Sequence, residues 1–249
     1  MDARFGVFHG EFLRQSDADW LARCFAVSFF GFIRLAGTKL RPDVSLFRMS
    51  RPEPASAVAA SVAAPADRGL PGALSVVMQS GVSFGLVSAL AYSIWAFRLV
   101  PGEPALLYGA IAAVYLGLGG LALSRFVPGA GAWKRFPLIF AAGFLVYAVG
   151  WCAFWFGLRG KHLADLWGAA VGLAGMTAVL QRALGHPRGF WPVFAVLFVL
   201  HSAGYYAGEQ LYAAVRGSTG RLLWGAAHGL GFGAGLGFLL FRGARVLKA

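Results

Sequence analysis

Residues 221–241 read RLLWGAAHGLGFGAGLGFLLF, and after Arg221 this stretch contains no Asp, Glu, Lys or Arg. About 20 apolar residues in a helix cross the roughly 30 Å hydrocarbon core of a bilayer. Over the whole chain 58% of the residues are hydrophobic and 13% are charged, whereas an ordinary soluble domain has about 25% charged residues. A soluble fold could not bury so much apolar surface, so the sequence predicts an integral membrane protein.

Five similar apolar stretches precede this one, and each is bounded by proline, glycine or basic residues. The six predicted spans are 76–99, 104–124, 136–158, 163–183, 190–214 and 221–241. At this length in lipid, a helix is the structure that satisfies its own backbone polar groups. We therefore predict an all-α, polytopic protein with six transmembrane helices in a domain of residues 76–245.

The net charge of +12 records membrane topology and does not indicate nucleic-acid binding, because the basic residues lie in short loops between spans. The two sets are Arg68, Arg125, Lys134, Arg135, Arg182, Arg188, Arg242, Arg245 and Lys248 on the N-terminal side, and Arg98, Arg159, Lys161, Arg216 and Arg221 on the other. Since positive residues are enriched on the cytoplasmic side, nine against five predicts a multi-pass protein of the cell inner membrane with both termini cytoplasmic.

Residues 1–75 differ in character from the spans and are predicted to form a partly disordered cytoplasmic extension. They hold seven of the ten acidic residues, and residues 51–71 are a Pro/Ala/Ser-rich tether. The apolar stretch 20–35 is interrupted by Arg23 and Arg34, so it is too short to span. It indicates an interfacial or partner-binding helix, or less well a signal-peptide core.

The change in character at Met49 leaves a further interpretation open. Met49 could be the true start of the protein, in which case residues 1–48 would be an over-extension of the sequence.

Four polar residues of the last two spans form the candidate site. His201, Tyr205 and Glu209 recur at i, i+4 and i+8 on one helical face, and the sixth span carries His228. Ionisable groups inside a membrane are costly and mark functional sites. The open alternative is an interhelical hydrogen-bond cluster that only joins the two helices.

A depth estimate at 1.5 Å per residue refines this prediction. Measured from the loop between the helices, Glu209 lies about 6 Å deep, His228 about 10 Å, Tyr205 about 12 Å and His201 about 18 Å. His228 is therefore expected to meet Tyr205 and Glu209. The 8 Å difference in depth between the histidines argues against haem ligation by the pair. No cofactor and no metal site are expected.

The sixth span also has glycine at every fourth position, a spacing that lets helix backbones approach closely. One row is Gly225, Gly229, Gly233 and Gly237, and a second row, Gly231 and Gly235, shares the face of His228. These rows predict a tightly packed sixth helix. Two weaker signals are an aromatic stripe of Tyr147, Trp151 and Trp155, typical of packing or interface anchoring, and Asp165, expected as a first-turn helix charge.

The sixth span contains Ala227-His228, followed by Gly231 and Gly235, and the fourth span contains Gly172-Leu173-Ala174-Gly175. In these two motifs the chain resembles the rhomboid intramembrane serine proteases. Their six-helix core has a general base in an A-H-x-x-G-x-x-x-G pattern and a nucleophile in a G-x-S-G turn. Tyr115-Leu116-Gly117 is similar to the family's second helix.

The departures from the family pattern define what the resemblance implies. Ala174 stands in place of the nucleophilic serine and has no hydroxyl for acyl transfer. The family's H-x-x-x-N pair would fall near Ala105 and Gly109, which cannot donate from a side chain. The resemblance, over about residues 76–245, thus implies a pseudoprotease-type relative that binds membrane clients.

Three classes of function follow from these observations. The first is a binding or scaffolding protein for a transmembrane-helix or lipid client, and the sequence favours this over catalysis. The second is a membrane-bound regulator that holds a soluble partner, such as a sigma factor, through its N-terminal region. The third is a membrane enzyme that acts on a lipid or quinone through His201, Tyr205, Glu209 and His228.

Overall fold

The computed structural model describes residues 72–100, 104–129, 131–185 and 188–246. The predicted tether, the apolar stretch 20–35 and the alternative start at Met49 lie outside the described residues. The described part is helical and contains no strand, which confirms the predicted all-α class.

Six helical rods follow the order of the predicted spans. They are α1 (Ala73–Ala96), α2 (Pro104–Val114, a π-helical turn Tyr115–Gly119, and Gly120–Ser124), α3 (Ala132–Gly157), α4 (Ala164–Ala183), α5 (Phe190–Val215) and α6 (Gly217–Val246). A single residue, Arg216, separates α5 from α6. Its positive φ of 55° reverses the chain in one step.

In the described part, four of the six rods are long and apolar enough to cross a membrane: α1, α3, α5 and α6. By length and hydropathy, the structure therefore supports four of the six predicted spans. The apolar part of α2, Gly109–Ser124, is too short. The helix α4 carries Asp165, Gln181 and Arg182 among many Gly and Ala residues, which lowers its hydropathy.

The rods form a closed ring in which each packs against its neighbours in sequence, and α6 returns to pack against α1. The helix α6 is the most enclosed of the four spans: 56% of its apolar segment is buried, compared with 17% for α5. Its two glycine rows explain this placement. A Cβ on Gly229 would lie 2.9 Å from both Gly85 Cα and Phe84 O of α1, and a Cβ on Gly231 would lie 2.9 Å from Gly204 Cα of α5. The predicted tight packing of the sixth helix is confirmed.

Large apolar side chains lie on both the inside and the outside of the ring. The interior holds an aromatic core that includes Phe84, Phe140 and Phe232, whereas Leu138 and Trp191 are 70% and 73% exposed on the outside. Soluble monomers rarely expose contiguous apolar surface of this kind. The outer surface is therefore suited to lipid, as expected of a membrane protein.

Candidate functional site

A cluster of three polar side chains lies in the interior of the ring, and we call Tyr147, His201 and His228 the histidine cluster. His201, on α5, is 2% exposed. Its Nε2 atom lies 2.8 Å from the Tyr147 hydroxyl of α3 and 3.1 Å from Nε2 of His228 on α6. Three helices, α3, α5 and α6, thus direct polar atoms to one point.

Glycine makes this meeting possible. Gly204 lies one helical turn from His201, and a Cβ there would lie 2.6 Å from Ala227 O and 3.0 Å from Gly231 Cα. Because neither Gly204 nor Gly231 has a side chain, α5 and α6 approach until the two imidazoles touch. The Phe232 ring packs against both imidazoles, with its centroid 4.9 Å from that of His201 and 6.0 Å from that of His228. One side of the cluster is therefore apolar.

The contact between the histidines corrects the depth estimate made from sequence. That estimate assumed a loop of several residues, but α6 begins at Gly217. Measured from this turn, His228 lies about 16 Å along α6 and His201 about 21 Å along α5. A difference of about 5 Å is within the reach of two imidazole side chains, so the predicted separation was wrong.

The ring nitrogens of the two histidines differ in their surroundings. Both Nε2 atoms lie inside the hydrogen-bonded cluster, where the Tyr147 hydroxyl donates to His201 Nε2 in one tautomer of the imidazole and accepts from it in the other. The Nδ1 atoms of His201 and His228 are buried and have no hydrogen-bond partner among the described residues.

The structure divides the other predicted site residues between two places. Tyr205 contacts His228 edge to face, with ring centroids 5.7 Å apart, as predicted. Glu209 is half-buried, and its recorded electrostatic interactions are with Asp165 and Tyr206. The contact between Glu209 and His228 therefore stays a prediction, and the interactions that the structure gives for Glu209 are with α4 and with its own helix.

A small cleft adjoins the cluster between α3, α4 and α5. Its volume of about 10 Å³ is close to the space that one water molecule needs. The lining residues are Trp151, Asp165, Leu166, Ala169, His201, Ser202, Tyr205 and Tyr206. Tyr206 donates a hydrogen bond of 2.9 Å to Asp165 Oδ2, and the Ser202 hydroxyl is buried with no recorded partner. The cleft thus joins an acidic group in the first turn of α4 to a buried imidazole.

Sequence reasoning missed Tyr147 as a site residue, because the stripe that it forms with Trp151 and Trp155 predicted packing or interface anchoring. The two tryptophans do stack, with ring centroids 5.1 Å apart, and Trp151 also lines the cleft. A depth comparison could have identified Tyr147. It lies ten residues before the end of α3 at Gly157, about 15 Å along the helix, close to the depth of His228.

A second buried polar contact lies at the π-helical turn of α2. The Ser88 hydroxyl donates a 2.6 Å bond to Gly225 O and lies 2.6 Å from the Tyr115 hydroxyl, which donates to it. Both Ser88 and Tyr115 are buried. All the donors of this contact are satisfied, so it joins α1, α2 and α6 and leaves nothing for a ligand.

Ala174, at the position of a rhomboid nucleophile, lies on α4, which packs closely against α3 at Gly150 and Gly172. The recorded partners of His228 lie on α1, α5 and α6. No family model, curated protein or solved structure matches the chain, and the rhomboid resemblance therefore stays a prediction.

Proposed function

We propose that the chain is a six-crossing protein of the cell inner membrane, with both termini cytoplasmic. In this proposal it binds a lipid-soluble ligand, a lipid or a quinone, through an oxygen atom of the ligand's headgroup. One observation carries the proposal: a cleft lined by a buried histidine whose Nδ1 atom has no hydrogen-bond partner in the described part of the chain. In this proposal that nitrogen carries the ring proton and donates it to the ligand oxygen.

The chemistry of the cleft selects the ligand class. A buried donor without a partner costs about 1–3 kcal/mol, and both His201 Nδ1 and Ser202 Oγ are in this state. A carbonyl or phosphate oxygen accepts from such donors. Because the cleft holds about one water, a transmembrane helix cannot enter it, whereas the terminal oxygen of a headgroup can. This favours the lipid form of the predicted binding function.

Six crossings are supported by the ring itself and by the charges of α4. Asp165 and Arg182 lie in the first and last turns of this helix, about 25 Å apart along its axis. That distance approaches the thickness of the hydrocarbon core. Both charges therefore fall at the membrane interfaces when α4 crosses beside α3.

Reporter fusions test the topology. Fusions after Ala130 and Lys248 are expected to report the cytoplasm, and a fusion after Gly217 the opposite side, because basic residues are enriched in the cytoplasmic loops. Paired alkaline phosphatase and fluorescent-protein activities would measure the orientation. If Gly217 and Lys248 report the same side, α6 does not cross the membrane and the six-span proposal fails.

Ligand binding is tested on purified protein in detergent with two probes, a short-chain quinone and a short-chain anionic phospholipid. We expect one probe to quench the fluorescence of Trp151 saturably, and H201Q to weaken its binding about tenfold, as loss of one hydrogen bond to a buried donor predicts. Ser202→Ala should weaken it by a smaller factor.

The matched control is Ser93→Ala, because the Ser93 hydroxyl bonds only Leu90 O of its own helix. It should leave binding unchanged, and W151F should remove the quenching signal without removing binding measured by equilibrium dialysis. If neither probe binds, or if H201Q binds as tightly as the parent, the proposed function is wrong.

A further inference from the structure

The histidine cluster contains more polar atoms than its hydrogen bonds can use. His201 Nε2 has two partners within hydrogen-bond distance: the Tyr147 hydroxyl at 2.8 Å and His228 Nε2 at 3.1 Å. A neutral imidazole nitrogen has one donor or one acceptor function. With two partners for this one function, the arrangement is incompletely satisfied, although all three side chains are buried or nearly so.

The same arrangement suits a cation. Imidazole nitrogens bind zinc at about 2.0–2.1 Å, which places two of them about 3.3 Å apart in a tetrahedral site. The observed separation of 3.1 Å between the two Nε2 atoms needs only a few tenths of an ångström to reach this geometry. The phenolic oxygen of Tyr147 supplies a third donor.

We infer that His201 Nε2, His228 Nε2 and the Tyr147 oxygen bind a divalent transition-metal ion such as Zn²⁺. In the described ranges no three His, Cys, Asp or Glu side chains could hold a metal ion together, so in this set the tyrosine supplies the third donor beside the two imidazoles. The ion takes the lone pair of each neutral imidazole and a lone pair of the Tyr147 oxygen, which keeps its proton, so no bond is broken. Both histidines then carry their remaining proton on Nδ1.

The charges around the cleft favour entry of a cation from the same side. From residue 76 onward the chain has three acidic residues, and two of them, Asp165 and Glu209, interact electrostatically with each other. Asp165 lines the cleft that also reaches His201. An acidic group on the wall of a cleft raises the local concentration of cations.

This inference goes beyond the lipid-soluble ligand and does not depend on it, because the ion uses the Nε2 atoms and the ligand would use Nδ1. Ligand oxygen and metal can therefore be present together. Metal binding is measured with no lipid probe or quinone added, so that either proposal can fail alone.

The experiment uses the full chain purified in detergent with a tag that contains no histidine. Titration with Co²⁺ should give tetrahedral absorption bands that saturate near one equivalent and disappear when Zn²⁺ is added. H201Q and H228Q should each weaken Co²⁺ binding at least tenfold. Y147F keeps the ring, so it should retain two-nitrogen binding with weaker affinity and altered bands.

H162Q is the matched control, because His162 is exposed at the turn before α4 and its loss should change nothing. Variants that do not fold are replaced by a measurement on the parent protein alone, in which bound Cu²⁺ should show coupling to two imidazole nitrogens in its electron paramagnetic resonance spectrum. Absence of saturable tetrahedral bands, coupling to fewer than two imidazoles, or binding reduced as much by H162Q as by H201Q would overturn the inference.

Discussion

Gly229→Val is expected to prevent α6 from packing against α1 and to remove most of the folded protein from the membrane. The Cβ atom would meet Ser88 Cβ and would lie 2.9 Å from Phe84 O and Gly85 Cα. Two of these three contacts are with backbone, which cannot rotate away as a side chain can. Overpacking a well-packed interior lowers the free energy of unfolding by about 1–3 kcal/mol. Because the backbone contacts here are rigid, we expect Gly229→Val to cost at least the upper value of this range.

The measurement is the yield of monodisperse protein and its thermal unfolding in detergent. Gly117→Val is the matched control, because a Cβ on Gly117 of α2 would meet nothing within 4 Å. It should leave yield and unfolding temperature close to those of the parent protein. Equal loss in both variants would show that helix propensity, and not the contact between α1 and α6, governs the result.

His201→Leu is expected to lower the free energy of unfolding by about 3 kcal/mol, since it leaves two buried groups unpaired and each costs about 1–3 kcal/mol. The two groups are the Tyr147 hydroxyl and His228 Nε2, both of which bond His201 Nε2. Phe198→Leu, three residues earlier on α5, is the control. Phe198 is half-buried and stacks on Phe194, so its replacement should have the smaller effect.

The variant that combines Tyr147→Phe, His201→Leu and His228→Leu separates the loss of pairing from the loss of packing. Replacing all partners of a buried hydrogen bond by apolar groups can be nearly neutral. The combined variant should therefore unfold at a higher temperature than His201→Leu alone. If the three losses simply add, the three side chains do not form one network.

The helices and their close packing could be predicted from sequence because both depend on local patterns. Apolar runs of about 20 residues located all six rods, and glycine at every fourth position identified the two faces of α6. The apolar runs did not show which of the six rods are long and apolar enough to cross a membrane. For α4 the reason is composition, since its buried face includes glycines that pack closely but add little hydropathy, together with the polar residues Thr177 and Gln181.

The site could be predicted only in part, because its geometry depends on where helices end and how they rotate. The helix α6 begins at Gly217, four residues before the predicted start of the span. His228 therefore lies about four residues farther from the turn than predicted, where it reaches His201. The rotation of α3, which turns Tyr147 inward, is set by its packing against Gly172 of α4. No pattern within residues 136–158 records that contact, so the third member of the histidine cluster could be identified only by comparing depths across helices, not from α3 alone.

The central claim is that His201 and His228 meet inside the membrane domain, and solid-state nuclear magnetic resonance in lipid tests it most directly. Replacing His9, His162 and His186 by Gln leaves these two as the only histidines of the chain, and both are then labelled with ¹⁵N. The structure predicts two neutral imidazoles with a nitrogen–nitrogen dipolar coupling that corresponds to 3.1 Å between their Nε2 atoms. Two imidazoles without measurable coupling, or with Nε2 atoms more than about 6 Å apart and so beyond even a water bridge, would contradict the account.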